Sequence, residues 1–317
     1  FRVKARNGDN VESAYSTSST GYTLAVVPTL SADQPTGSTI SLNITGVNNL
    51  ASGNSGVYFE CKDSDCNDGI AEWVQNESDV VISLQSNTEY EFRAKARNFD
   101  GTETAYSEYI SVFTGADIPS APIEKEKTID SVKIALVKGG NPDSTEYAVL
   151  DETTGKYLNR STNQLVEEAV WGTYAQYGGD SGINILGLSS GIEYKFKVKA
   201  RNESNVESEF SPVLSVFTKL LTPTLLSATD IQKTTVNWSV TDNNSIKTGY
   251  RIYDQAGNLM LSCLASNMND CRESNLASNT TYARKVKVYT NNTESDFSEV
   301  YQVTTLAQES ALVSLTP

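Results

Sequence analysis

The chain has 317 residues, 39 acidic against 25 basic side chains, a formal charge of −14, four cysteines and no histidine. Without imidazole there is no Ser-His-Asp triad, no Cys-His dyad and no histidine metal site, and a net-acidic surface repels phosphate backbones, which argues against nucleic-acid binding. No apolar run approaches membrane-spanning length, and no glycine-rich phosphate loop or nucleophile elbow is present, so the reading is non-catalytic, with no cofactor and no metal.

An internal repeat organises the chain. It opens with FRVKARN at 1–7, which returns as YEFRAKARN at 90–98, YKFKVKARN at 194–202 and YARKVKVYT at 282–290. The spacing is about 90–100 residues, the size of one small sandwich domain. Within 90–97, Tyr90, Phe92, Ala94 and Ala96 alternate with Glu91, Arg93, Lys95 and Arg97. Period two with one charged face predicts a half-buried strand of an antiparallel sheet.

In chain order, residues 1–27 read as the last two strands of a repeat, the second from Tyr15-Ser16 to Tyr22-Thr23. Residues 28–117, 118–220 and 221–306 read as three whole domains, and 307–317 as the start of another. Each whole domain opens with an apolar alternation: Ile40, Leu42, Ile44; Val132, Ile134, Leu136; Val236, Trp238, Val240. A Leu sits six residues before each strand-opening Tyr, at Leu84, Leu188 and Leu276. Such a Leu plugs the core end, and the Tyr hydroxyl can bond back to the intervening turn, a tyrosine corner. The final strand is expected over Tyr106–Thr114, Phe210–Thr218 and Phe297–Thr304, with Tyr106 and Tyr22 facing a core. Links of five residues, Thr114 to Pro119 and Thr218 to Pro223, predict a semi-rigid string.

The Leu-x5-Tyr-x-Phe-x-Val/Ala-x-Ala-x-Asn pattern, the Ser-to-Thr final strand and the proline joint resemble fibronectin type III domains, most closely the tandem copies of bacterial surface and secreted proteins. The resemblance implies an all-β array of immunoglobulin-like seven-strand sandwiches. A second-strand Trp, common in the family, occurs here only as Trp238; Trp73 and Trp171 lie just ahead of the fifth strand instead. The middle copy carries extra residues between 159 and 182. The Arg-Gly-Asp tripeptide of integrin binding is absent, so that activity is not implied.

Even number, local spacing and equivalent placement in alternate copies pair Cys61 with Cys66 and Cys263 with Cys271 as two hairpin disulfides, and so predict an oxidising, extracellular location. Spacing and separation disfavour zinc. Asp63, Asp65, Asn67, Asp68 and Gly69 resemble a calcium loop one residue out of register, without the closing Glu; a solvated acidic hairpin tip explains them more simply, and Asn267, Asn269 and Asp270 make a weaker case. Eight Asn-x-Ser/Thr sequons, at Asn43, Asn76, Asn159, Asn202, Asn237, Asn243, Asn279 and Asn291, are about what this composition yields by chance. Tyr157, Tyr174 and Tyr177 surround Trp171 in the middle copy's extra segment. That cluster reads as a hydrophobic cap, as a protein contact, or as a platform for a glycan.

The function expected is a structural, cell-surface stalk, sheath or filament of bacterial type. Its partners would be copies of itself or other surface proteins. An adhesin or ligand-binding module, or an accessory region of a larger secreted enzyme, are the alternatives.

Overall fold

The computed structural model describes residues 1–309 except 34, 49, 51–52, 63–65, 67–69, 71 and 267–270. The loop residues Asp63, Asp65, Asn67 and Asp68 with Gly69, the Asn267–Asp270 segment and residues 310–317 therefore lie outside the described residues.

Among the described residues the first sandwich has seven strands: β1 (Thr29–Asp33), β2 (Ile40–Thr45), β3 (Gly56–Cys61), β4 (Trp73–Val74), β5 (Ser78–Val81), β6 (Glu89–Arg97) and β7 (Ile110–Phe113). They form a β1-β2-β5 sheet and a β4-β3-β6-β7 sheet. The second comprises β8 (Ser120–Lys127), β9 (Ser131–Val137), β10 (Glu146–Asp151), β11 (Lys156–Asn159), β12 (Gln164–Val166), β13 (Gly172–Thr173), β14 (Ile183–Leu186), β15 (Glu193–Arg201) and β16 (Leu214–Phe217). Its sheets run β14-β9-β8 and β12-β11-β10-β15-β16, with β13 also on β10. The third has β17 (Leu225–Ile231), β18 (Val236–Thr241), β19 (Gly249–Asp254), β20 (Leu259–Leu264), β21 (Arg272–Glu273), β22 (Thr281–Tyr289) and β23 (Tyr301–Thr304), in sheets β17-β18-β21 and β20-β19-β22-β23. One strand order thus recurs three times, and it is the two-sheet order of immunoglobulin-like sandwiches. The middle copy's extra residues build β12, β13 and two 3-10 turns, at Ala175–Tyr177 and Gly179–Ser181.

Alternation determines the cores. Ile40 and Leu42 on β2, Val132 and Ile134 on β9, and Val236 and Trp238 on β18 are wholly buried, as are Phe92, Ala94 and Ala96 on β6. Each corner tyrosine is held as the pattern implies: Gln85 N–H donates to Tyr90 Oη at 3.0 Å, Ser189 N–H to Tyr194 Oη at 2.8 Å, and Ala277 N–H to Tyr282 Oη at 2.8 Å. The carbonyls of those same three residues accept from a threonine hydroxyl after the last strand: Thr114 to Gln85 at 2.6 Å, Thr218 to Ser189 at 2.7 Å, and Thr305 to Ala277 at 2.6 Å. The corner is therefore tied from both sides, each bond contributing on the order of 1 kcal/mol.

The final strands are shorter than the sequence suggests, because hydroxyls replace half of the ladder. Ala94 N–H donates to Ser107 Oγ and Ala96 N–H to Thr104 Oγ1, both at 3.0 Å. The same two-step bonding joins Val198 to Ser211 and Ala200 to Ser208, and Val286 to Ser298 and Val288 to Ser295. Residues 1–27 repeat it, with Val3 N–H on Ser16 and Ala5 N–H on Ser13. Tyr106 correspondingly turns outward rather than into a core, and Tyr22 is 44 % exposed, its ring stacked on Phe99 at 4.3 Å.

Both disulfides are formed, but they are not equivalent. Cys61 ends β3 and bonds Cys66 in the following loop, Cα atoms 6.1 Å apart. Cys263 lies in β20 and bonds Cys271 just before β21, 5.2 Å apart. Since β20 and β21 belong to opposite sheets, this second bond crosses the sandwich. It is not a hairpin staple, because its two cysteines stand in and beside strands of different sheets.

Compactness divides the chain into two units. One comprises Phe1–Ile118, Lys138–Glu146 and Ala200–Glu209; the other comprises Pro119–Val137, Tyr147–Lys199 and the chain from Phe210 onward. Two loops of the second sandwich thus belong to the first unit. No helix among the described residues is long and apolar enough to cross a membrane.

Candidate functional site

Two features recur with the repeat: an outward face where aromatic rings meet cations, and a set of clasps where consecutive repeats join.

The outward face follows from alternation. The charged row of β6 stands away from the core, and the aromatic residue preceding the hydroxyl ladder lies across it. Arg93 lies 3.8 Å from the Tyr106 ring centroid. Lys95 Nζ is 4.9 Å from Tyr106, 5.2 Å from Tyr58 and 5.5 Å from Trp73, while Arg97 covers Trp73 at 4.3 Å. Tyr106 Oη donates to Glu60 at 3.0 Å, and Glu60 pairs with Arg93. Partial burial of Glu60 favours its neutral form, but the hydrogen bonds from Arg93 and Tyr106 outweigh it and hold the carboxyl below its ordinary pKa. The Lys95 ammonium is held above its ordinary value, chiefly by its hydrogen bond to Glu103. Cation–π contacts at such half-exposed sites contribute about 0.5–1 kcal/mol each.

The middle copy builds the same face from its own residues. Lys199 Nζ lies 5.3 Å from the Trp171 ring, 5.4 Å from Phe210 and 5.6 Å from Tyr157. Of the four aromatics expected to cluster, Trp171 and Tyr157 therefore share this face. Tyr174 is directed instead to Asp180, its Oη donating at 2.7 Å. Tyr177 must be removed from any contact set. It is wholly buried, and its Oη donates to Val170 O at 2.5 Å. Burial pushes its pKa up to about 12. The sequence reading missed Lys199 and Phe210. The signal was the aromatic-Ser pair itself, since Tyr15, Tyr106, Phe210 and Phe297 each lie against a lysine: Lys4, Lys95, Lys199 and Lys285.

The clasps place a side chain of one turn, asparagine at two joints and threonine at the third, against one backbone position. Asn98 Nδ2 donates to Thr23 O at 3.1 Å and Asn202 Nδ2 to Thr114 O at 3.0 Å, both within the first unit. Within the second unit, Thr293 Oγ1 donates to Thr218 O at 3.0 Å. Thr23, Thr114 and Thr218 are equivalent residues of the repeat, and their partners stand in equivalent turns. A second asparagine adds a reciprocal pair at two joints. Asn141 accepts from Asp117 N–H at 2.8 Å and donates to Asp117 O at 2.9 Å. Asn244 does both to Leu221, each at 2.8 Å. Asn87, held at φ 45°, donates to Thr145 Oγ1 and accepts from Glu203 N–H, both at 2.9 Å. These groups are buried: Asn141 is 2 % exposed and Asn202 4 %. Asn202 is thereby removed as a glycosylation acceptor, because its amide nitrogen is already spent inside the joint.

Charge and packing complete the second unit's joint. Lys219 pairs with Asp296 at 2.7 Å. Leu220, 2 % exposed, sits where a Cβ on Gly191 would meet its Cδ2 at 2.7 Å. Gly191 is also at φ 71°, a left-handed conformation that favours glycine. The first unit carries a groove of about 550 Å³ beside its joint, lined by Thr36, Gly115, Asp117, Gly140 and Glu207 among others.

No family model matches the chain, and no curated protein matches it. Among solved structures it is similar to the FN1–FN3 domains of chicken CNTN1, 16 % identical, covering 88 % of this chain and 99 % of that one, with a TM-score of 0.36. It is also similar to a two-domain fibronectin type III segment from chicken tenascin, 15 % identical, covering 60 % of this chain and all of that one, again with a TM-score of 0.36. The tandem fibronectin type III-like fold stands on this chain's own strand order and tyrosine corners. The two disulfides indicate an oxidising environment.

Proposed function

We propose that this chain is a non-catalytic extracellular spacer, a semi-rigid array of fibronectin type III-like sandwiches in a bacterial cell-surface stalk, sheath or filament. The clasp carries this reading. At three successive joints the same backbone carbonyl accepts a bond from the same turn of the following repeat. Breaking such a clasp would strand buried polar groups, at about 1–3 kcal/mol for each one left unpaired, and this cost supports the reading of semi-rigid joints. The absence of histidine from the sequence and the disulfides accord with a structural role outside the cytoplasm. An adhesin would need free ring faces on the aromatic surface. Those of Tyr106, Trp73 and Trp171 already face the chain's own cations, which favours the spacer.

Small-angle X-ray scattering tests it. The wild-type chain should give a narrow distance distribution, and Asn141→Ala with Asn202→Ala should broaden it towards a flexible ensemble while circular dichroism is unchanged. A wild-type chain as broad as the variant would overturn the proposal.

A further inference from the structure

The third sandwich exposes an edge that its two predecessors protect. In the first sandwich the strand beside β3 is β4, two residues long and preceded by Glu72. In the second, β11 is itself covered by β12, three residues long and followed by Glu167 and Glu168. Both devices, short edges and charged flanks, blunt a strand against further pairing. In the third, β20 runs six residues and, among the described residues, pairs only with β19 and has no strand on its other side. The fifteen residues from Gln255 to Asn269 hold no charged side chain. Leu259, Met260 and Leu264 are 53 %, 44 % and 54 % exposed.

The open backbone groups can be assigned. Cys263 is opposite Tyr250, Leu261 is opposite Ile252, and Ala265 N–H donates to Thr248 O. Antiparallel alternation then directs the backbone of Leu261 and Cys263 to β19, and that of Ser262 and Leu264 away from the sheet.

We infer that β20 is a self-pairing edge, docking antiparallel on β20 of a second copy to join two four-strand sheets into one. Charge selects this occupant. Two chains of net charge −14 repel over most of their surfaces, and an uncharged strand is where they can approach at least electrostatic cost. A strand lying antiparallel to its own copy is self-complementary, so one twofold contact satisfies both edges and closes. The pairing is independent of joint stiffness and adds a lateral contact to the array.

Sedimentation velocity of the whole chain reads it. The wild type should show reversible dimerisation that strengthens as salt screens the net charge. Leu264→Lys, and separately Ser262→Pro, which removes an N–H that points away from β19, should each weaken the dimer at least about tenfold. Hydrogen exchange should show the Ser262 and Leu264 amides gaining protection with protein concentration in the wild type, while β22 protection stays intact in both variants. A wild type that stays monomeric at its highest soluble concentration in high salt overturns the inference, as does a dimer that Leu264→Lys leaves unchanged. Neither outcome bears on the joints, which scattering reads separately.

Discussion

The second and third sandwiches share a strand order but treat one core position in opposite ways. On β15 that position is Phe196, wholly buried and 6.2 Å between centroids from Tyr194. On β22 it is Arg284, 5 % exposed, which forms a forked pair with Glu273 of the opposite sheet, its Nε 3.1 and 3.0 Å from the two carboxylate oxygens. Trp238 Nε1 donates to the same carboxylate at 3.1 Å. The Cys263–Cys271 bond lies just before Glu273 in the chain, and Cys271 O accepts from Trp238 N–H at 2.8 Å. The second sandwich thus stays apolar at this point and seals one edge with Tyr177. The third holds its sheets together with a charge pair, an indole and a disulfide. A buried charge is tolerated when every hydrogen-bonding group around it is satisfied, and it becomes a liability once one partner is lost.

The largest effect expected is from Glu273→Ala. Leaving Arg284 buried and unpaired should destabilise the third sandwich by about 3–5 kcal/mol, read as faster exchange of β22 amides with β15 amides unaffected. Glu273→Leu combined with Arg284→Phe, which imposes the second sandwich's solution, should restore most of that stability. A double variant as weak as the single one would show that the pair is not what the site requires.

Alkaline pH should act on the second sandwich. Tyr177 has its folded pKa raised from 10.0 to about 12, so the unfolded chain ionises first. The stability it contributes is complete below pH 10 and is lost as pH rises towards about 12, on the order of 2–3 kcal/mol in all. Tyr177→Phe should flatten that part of the stability profile measured by urea denaturation.

Replacing Cys263 and Cys271 by Ser should cost about 2–3 kcal/mol in the chain-entropy model. Because this bond joins two sheets, the loss should spread to β18 and β21 exchange. Replacing Cys61 and Cys66 should loosen only their own loop.

The smallest effect lies at the joint of the third sandwich. Burial of Asp242 favours its neutral form, but hydrogen bonds from Tyr250, Lys247 and Asn244 outweigh it and hold its pKa below 3.8. A depressed carboxyl stabilises the fold above its unfolded pKa, and that contribution fades as pH falls below about 4 through the folded value. Acid should therefore release Asn244, which Asp242 Oδ1 orients through its N–H at 2.8 Å. Exchange of the Leu221 amide should rise before the sandwich itself unfolds, and Asp242→Asn should remove the pH dependence.

Much of the architecture was legible in the residues. Period-two alternation identified β2, β6, β9, β15 and β18, and the Leu-to-Tyr spacing located corners whose hydrogen bonds the structure contains. The outward face is less legible. The stretch at Tyr106 has the pattern of a continuing strand with its ring in a core, but hydroxyls replace the ladder there and the ring turns outward. Tyr177 looked like one surface aromatic among four, but the two 3-10 turns fold it under the sheet edge. Arg284 stood in plain view, a charge at a position that alternation assigns to the core. Its partner Glu273 could not be named, since the two meet only when the sheets close.

Local periodicity and short-range spacing were sufficient for the alternating strands β2, β6, β9, β15 and β18, the repeat and the pairing of cysteines, because each depends on residues a few positions apart along one backbone. The crossing of Cys263–Cys271 between sheets, the burial of Arg284 with Glu273, and the asparagines that bind one repeat to the next were decided by tertiary structure. Each joins groups brought together only by sheet packing or by the meeting of consecutive repeats, where burial makes an unpaired polar group costly and a matched one specific.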